Sequence, residues 1–164
     1  MLFSSGLRVS ELCNLKINQV HLNVGYLSCK GKGNKERMVY LNNACIDAIN
    51  EYLKVRPNDG IPVTEKNALF ISRNHKRISP KTVQHIVKTY LAKSGLGDMG
   101  YSTHKLRHTA ATLMYQHGNV DIRVLKDILG HANLGTTQIY THVSNTQIKQ
   151  AIDANPLSNF KNKK

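Results

Sequence analysis

One stretch of this chain reads as a tight reversal, and it limits the fold more than any other. Gly31-Lys32-Gly33-Asn34 combines two glycines and an asparagine, which suit a reversing turn, and it separates two short runs of strand character at residues 26–30 and 37–41. Most of the remaining pattern is helical. Val9, Leu12 and Cys13 mark one side of a short helix over 9–15, and the apolar positions 45, 46, 49 and 53 mark another over 44–55, which Pro57 ends. Ser79-Pro80 opens a third as N-cap and first helical residue, with Val83, Ile86, Val87 and Leu91 as its buried stripe and Gly95 as its stop. In a helix over about 104–117, Leu106, Ala110, Leu113 and Met114 fall on one side. His104, Arg107, His108 and Ala111 fall on the other, a polar face with room beside the small alanine. Asp121 caps a further helix with Ile122, Leu125, Ile128 and Leu129 inward and Gly130 at its end, and short helices follow over 136–140 and 147–154. The expected fold is mainly α with a small antiparallel β-sheet (α+β), in which residues 69–71 supply a third strand. It forms one domain over 1–154, followed by a polar, basic, disordered tail over 155–164.

Lys and Arg number 23 against 10 Asp and Glu, a net charge of +13 spread along the sequence. Such a balance points to a polyanionic partner, usually nucleic acid, with a merely soluble basic protein as the alternative. Cys13, Cys29 and Cys45 are odd in number, dispersed and without a CxxC pair. They read as reduced thiols in the cytoplasm and exclude a disulfide frame or a structural zinc site. No apolar run approaches a membrane span, and the opening residues lack the pattern of a signal peptide. Met1, Leu2 and Phe3 read as the last turn of a helix whose earlier part is missing.

Against this background stands an ordered set of cations and imidazoles that ends in one tyrosine: Arg8, Lys32, His104, Arg107, His131 and Tyr140. Several donors aimed at one anion beside a weak oxygen nucleophile are what phosphoryl transfer needs when no metal helps. Guanidinium stays charged and grips two oxygens at once, which lysine cannot do. A phenol has a pKa of about 10, so it needs local positive charge or a base before it attacks. Glu11 lies three residues beyond Arg8, within reach of an ion pair. Neither a Gly-rich GK[ST] loop nor an acidic cluster of the two-metal kind is present.

The wording around these residues is specific: GLRVSEL at 6–12, KGKGNKER at 30–37, HKLRH at 104–108, LGH at 129–131 and TTQIYTH at 136–142. It resembles the catalytic domain of the tyrosine recombinases, the family of phage integrases and Xer-like recombinases, over residues 2–152. The resemblance implies that Tyr140 attacks a DNA phosphodiester, forms a 3′-phosphotyrosyl bond and expels a 5′-hydroxyl. Strands then rejoin without ATP, metal or other cofactor. It implies that Arg8 and Arg107 grip the nonbridging oxygens, that Lys32 protonates the leaving oxygen, that His104 helps take the proton from Tyr140, and that His131 bonds a nonbridging oxygen. Glu11 would hold the rotamer of Arg8, while Lys30, Lys35, Arg37 and Lys105 would lie along the DNA. The implied partners are double-stranded DNA and three further copies in a homotetramer on paired sites, with residues 144–154 docking on a neighbour. The free chain is expected to be monomeric. Family members carry a separate N-terminal DNA-binding domain and extra helices before the first arginine, where only seven residues precede Arg8. The chain therefore reads as truncated there, with weak binding of its own. Two rival readings stay open: a catalytically silent DNA-binding fragment, and a metal-dependent hydrolase built on His104 and His108, whose i,i+4 spacing can bind zinc although no HEXXH is present.

Overall fold

A computed structural model describes residues 1–31, 36–117 and 121–130. Lys32, Lys35, His131, Tyr140, the proposed docking segment 144–154 and the tail 155–164 lie outside the described residues. Six α-helices and a three-stranded antiparallel sheet make up the described fold, as the sequence pattern anticipated. The helices are α1 (Leu2–Ser5), α2 (Val9–Asn14), α3 (Asn43–Val55), α4 (Pro80–Lys93), α5 (Thr103–His117) and α6 (Ile122–Leu129). The strands are β1 (Val20–His21), β2 (Tyr26–Lys30) and β3 (Glu36–Tyr40), in spatial order β1-β2-β3.

Helix ends follow their local chemistry. The Ser79 hydroxyl accepts from the Thr82 amide at 3.1 Å and Asn42 accepts from Cys45 at 2.9 Å, each satisfying a first-turn donor. Asp121 does the same for Arg123 at 2.6 Å. Side-chain parity sets the sheet. Leu27 pairs with Val39 and Cys29 with Arg37. Leu27, Cys29 and Val39 are buried on one face, against Leu7, Leu15, Cys45, Ile49 and Leu69. A second cluster joins Leu2 of α1, Leu12 and Cys13 of α2 and Val83 of α4, and a third joins Ala111 of α5 to Leu125 and Leu129 of α6. The three cysteines are buried free thiols, and burial pushes the pKa of Cys13 and Cys29 up.

Three expectations are corrected. Residues 69–71 form no strand of the sheet; the third strand is Val20–His21. Around 66–71 the chain makes only isolated bridges, Lys16 with Ala68 and Ile71 with Arg77. Side chains there take the place of a ladder. The buried Arg56 guanidinium donates to the carbonyls of Lys66, Ala68 and Leu69 at 2.9, 2.8 and 3.1 Å, and the Ile71 amide donates to the Tyr52 hydroxyl at 3.0 Å. On α4 the buried stripe is narrower than the spacing suggests: Val83 is buried and Val87 half-buried, but Ile86 is 41% exposed. On α5 the supposed polar face divides. His104 is exposed, whereas Arg107 and Ala111 are buried and Leu113 is 38% exposed. The helix lies against α1 and α6 together, so the side carrying Arg107 is covered as well.

Candidate active site

The site grows from one carboxylate. Glu11 sits in the first turn of α2, and its side chain is only 5% exposed. An isolated buried carboxylate is costly, so its partners decide whether it stays charged. Its Oε2 accepts from the Arg8 amide at 2.7 Å and its Oε1 from Arg8 Nη1 at 2.8 Å. Arg37 closes from the sheet side with two parallel bonds, Nη1 to Oε1 at 2.7 Å and Nη2 to Oε2 at 2.9 Å. Four accepted bonds fill what a carboxylate can take. Arg107 Nη1 stands 3.9 Å from Oε2 as a third cation. Burial pushes the Glu11 carboxyl up, but the hydrogen bonds and charge of Arg37 together with those of Arg8 outweigh it and hold its pKa below the usual carboxylate range.

Backbone geometry brings the arginines there. Gly6 takes a left-handed conformation (φ 61°) after α1, and Arg8 stands at the N-cap of α2. Arg107 Nη1 donates to the Gly6 carbonyl and Nη2 to the Leu129 carbonyl at 2.6 Å, both buried. Arg8 Nη2 reaches the Gly130 carbonyl at 3.2 Å. Arg8 and Arg107 therefore both grip the end of α6, the residues immediately before His131. Gly130 itself has φ 60°, and a Cβ there would lie 3.0 Å from Cζ and Nη1 of Arg37. The guanidinium of Arg37 packs directly against that glycine.

The structure thus unites Arg8, Glu11 and Arg107 as the sequence suggested, and adds Arg37 to them. Arg37 was expected to lie along DNA; its side chain is 13% exposed and committed to Glu11. The signal for this was present in the strand parity, since Arg37 shares a face with buried Val39. Lys30 and Lys105 are exposed, Lys30 making only a long 3.6 Å contact with Glu36. His104 lies on α5 one turn before Arg107 and pairs with His108 at 2.6 Å between Nε2 atoms. Burial first, then the neighbouring His104 and Arg107, push the pKa of His108 down. Among the described residues no cluster of three His, Cys, Asp or Glu side chains of metal-binding geometry occurs, and no helix is long and apolar enough to cross a membrane.

The helical domain thus gathers three guanidiniums round one carboxylate, with two of them holding the same helix end. Residues 1–147 match the profile of the Phage integrase family, and the chain belongs to that family. Tyrosine recombinase XerC of Caldanaerobacter subterraneus subsp. tengcongensis is 55% identical over 158 residues, 96% of this chain and 44% of that protein. The crystal structure of XerA recombinase superposes with a TM-score of 0.78 at 36% identity, covering 92% of this chain and 52% of that one. XerH site-specific recombinase, bound to its difH substrate in a pre-cleavage complex, gives 0.78 at 29% identity, covering 93% and 44%. The chain spans about half the length of the curated relatives it matches.

Proposed function

We propose that this chain breaks and rejoins DNA as the catalytic domain of a site-specific tyrosine recombinase. Tyr140 attacks a phosphodiester, its phenolic proton leaving with the help of His104. The bond to the 5′-oxygen breaks, Lys32 protonates that oxygen, and a 3′-phosphotyrosyl bond remains. A 5′-hydroxyl of another strand then reverses the step, so no ATP, metal or other cofactor enters. The attacked diester carries one negative charge and its transition state nearly two. Arg8 and Arg107 oppose that gain, and His131 bonds a further nonbridging oxygen.

The observation that supports this reading most is the double grip on α6, Arg8 on the Gly130 carbonyl and Arg107 on the Leu129 carbonyl, beside the buried Glu11. It puts both arginines next to the residue that precedes His131. Lys30, Lys35 and Lys105 supply salt-sensitive backbone contacts to duplex DNA. The reading extends to a homotetramer on paired sites and to action in the cytoplasm.

A nicked suicide DNA substrate tests it. A covalent protein–DNA adduct that forms in EDTA and is lost in Tyr140→Phe is the expected result. A band shift without an adduct marks a silent DNA-binding fragment, and cleavage abolished by EDTA marks a metal-dependent hydrolase.

A further inference from the structure

We infer that Arg37 is a positioning residue for this reaction, whose task is to neutralise Glu11 so that Arg8 and Arg107 keep their charge for the phosphate. The inference rests on the recombinase reading above but adds a residue and a role to it.

The argument is one of charge and geometry. Three guanidiniums face one buried carboxylate. One cation must balance Glu11 if the others are to face an anion that carries nearly two negative charges at its transition state. Arg37 is the one spent on Glu11. It alone uses both terminal nitrogens on the carboxylate, at 2.7 and 2.9 Å. Arg8 gives Glu11 a single side-chain bond and extends its other nitrogen to Gly130, and Arg107 sits at 3.9 Å and donates to the Gly6 and Leu129 carbonyls. Of the two arginines that hydrogen-bond Glu11, Arg8 is the more exposed, at 34% of its side chain against 13% for Arg37, while Arg107 is 5% exposed. Among the described residues, the buried Cys29 thiol of β2 and His108 of α5 are further ionisable groups close to this cluster. Arg37 acts at a second place too. Its guanidinium packs against Gly130, where even a methyl group would meet it at 3.0 Å, so it also props the backbone before His131.

Loss of Arg37 leaves Glu11 charged, buried and short of two donors. The carboxylate then draws Arg8 and Arg107 inward, away from the phosphate. Arg37→Gln is expected to lower the single-turnover adduct rate at saturating nicked DNA by about 10- to 100-fold, the range seen when groups that hold a site's ligands are removed. Adding Glu11→Gln removes the unbalanced charge, and the double variant is expected to recover several-fold over Arg37→Gln. Arg37→Lys keeps the charge without the fork and is expected between wild type and Arg37→Gln. A residue that merely supports the fold, or that touches DNA, gives losses that add in the double variant, and this would overturn the inference. Nitrogen-15 NMR of the Arg8 guanidinium in the free protein reads the same point without chemistry: its signals should move in Arg37→Gln and return in the double variant. Unmoved Arg8 signals sink this inference. A wild-type chain that makes no adduct sinks the recombinase reading instead.

Discussion

Arg107 of α5 donates to the carbonyl of Gly6, 101 positions earlier in the chain. The other arm of the same guanidinium reaches the Leu129 carbonyl. One side chain thus staples the turn before α2, the first half of α5 and the end of α6, so its guanidinium is held from three elements at once.

Replacing Arg107 should therefore cost stability as well as activity. Arg107→Ala strands two buried carbonyls, each worth about 1–3 kcal/mol. At about 2–4 °C per kcal/mol, the melting temperature should fall by roughly 4–24 °C, read by calorimetry. Arg107→Lys should restore only part of this, because an ammonium cannot reach both carbonyls in the plane of a fork. A fall of less than about 2 °C in the alanine variant contradicts the staple.

Glu11 gives a pH signature. Its folded pKa is held below the unfolded value, so its contribution is complete above about pH 4.5 and disappears as pH falls through the depressed folded value. Urea melts from pH 7 down to pH 3 should show wild type losing stability faster than Glu11→Gln across that acid window. Near pH 7, by contrast, Glu11→Gln should be the less stable protein. Parallel curves for the two proteins would rule out a charged, paired Glu11.

Gly130→Ala meets two obstacles at once. The residue sits at φ 60°, which costs an alanine about 1–2 kcal/mol, and its new methyl lies 3.0 Å from the Arg37 guanidinium. The substitution should be clearly destabilising in wild type and milder in an Arg37→Ala background. A thermodynamic cycle with no coupling would mean that the two residues do not touch.

Arg56 predicts a purely structural loss. Its five hydrogen bonds, to the carbonyls of Pro57, Lys66, Ala68 and Leu69 and to Asn58 Oδ1, match the five N–H groups of a guanidinium. Arg56→Leu should lose about 3 kcal/mol, since several buried acceptors are left bare. The adduct rate per folded molecule should not change.

Much of this architecture was legible from residue spacing. Caps at Ser79 and Asp121, the apolar stripe of α3 and the pairing of β2 with β3 all follow from local chemistry, and all stand in the structure. The pairing of Arg8 with Glu11 is equally local, three residues along one helix. What escaped was non-local. Residues 69–71 carry strand-like side chains, but Arg56 claims their neighbourhood from 10–13 positions away. Arg107 was placed on a polar face of α5 and is in fact buried, because periodicity tells which residues share a face of the helix, not what covers that face. Arg37 stood in a basic run and was grouped with its lysines, although its alternation with Val39 pointed inward. Tyr140, His131 and Lys32 remain assignments by resemblance, and the adduct experiment addresses them directly.

The bond from Arg8 to Gly130 joins positions 122 residues apart. A nascent chain on a ribosome holds Arg8, Glu11 and Arg37 well before the stretch that Arg8 clasps, which is translated 122 positions after it. The cationic cluster therefore assembles only after that long-range contact can close. A partly made chain carries Arg8, Glu11 and Arg37 but not the helix end that Arg8 clasps, so the arrangement is a product of tertiary folding and not of local sequence.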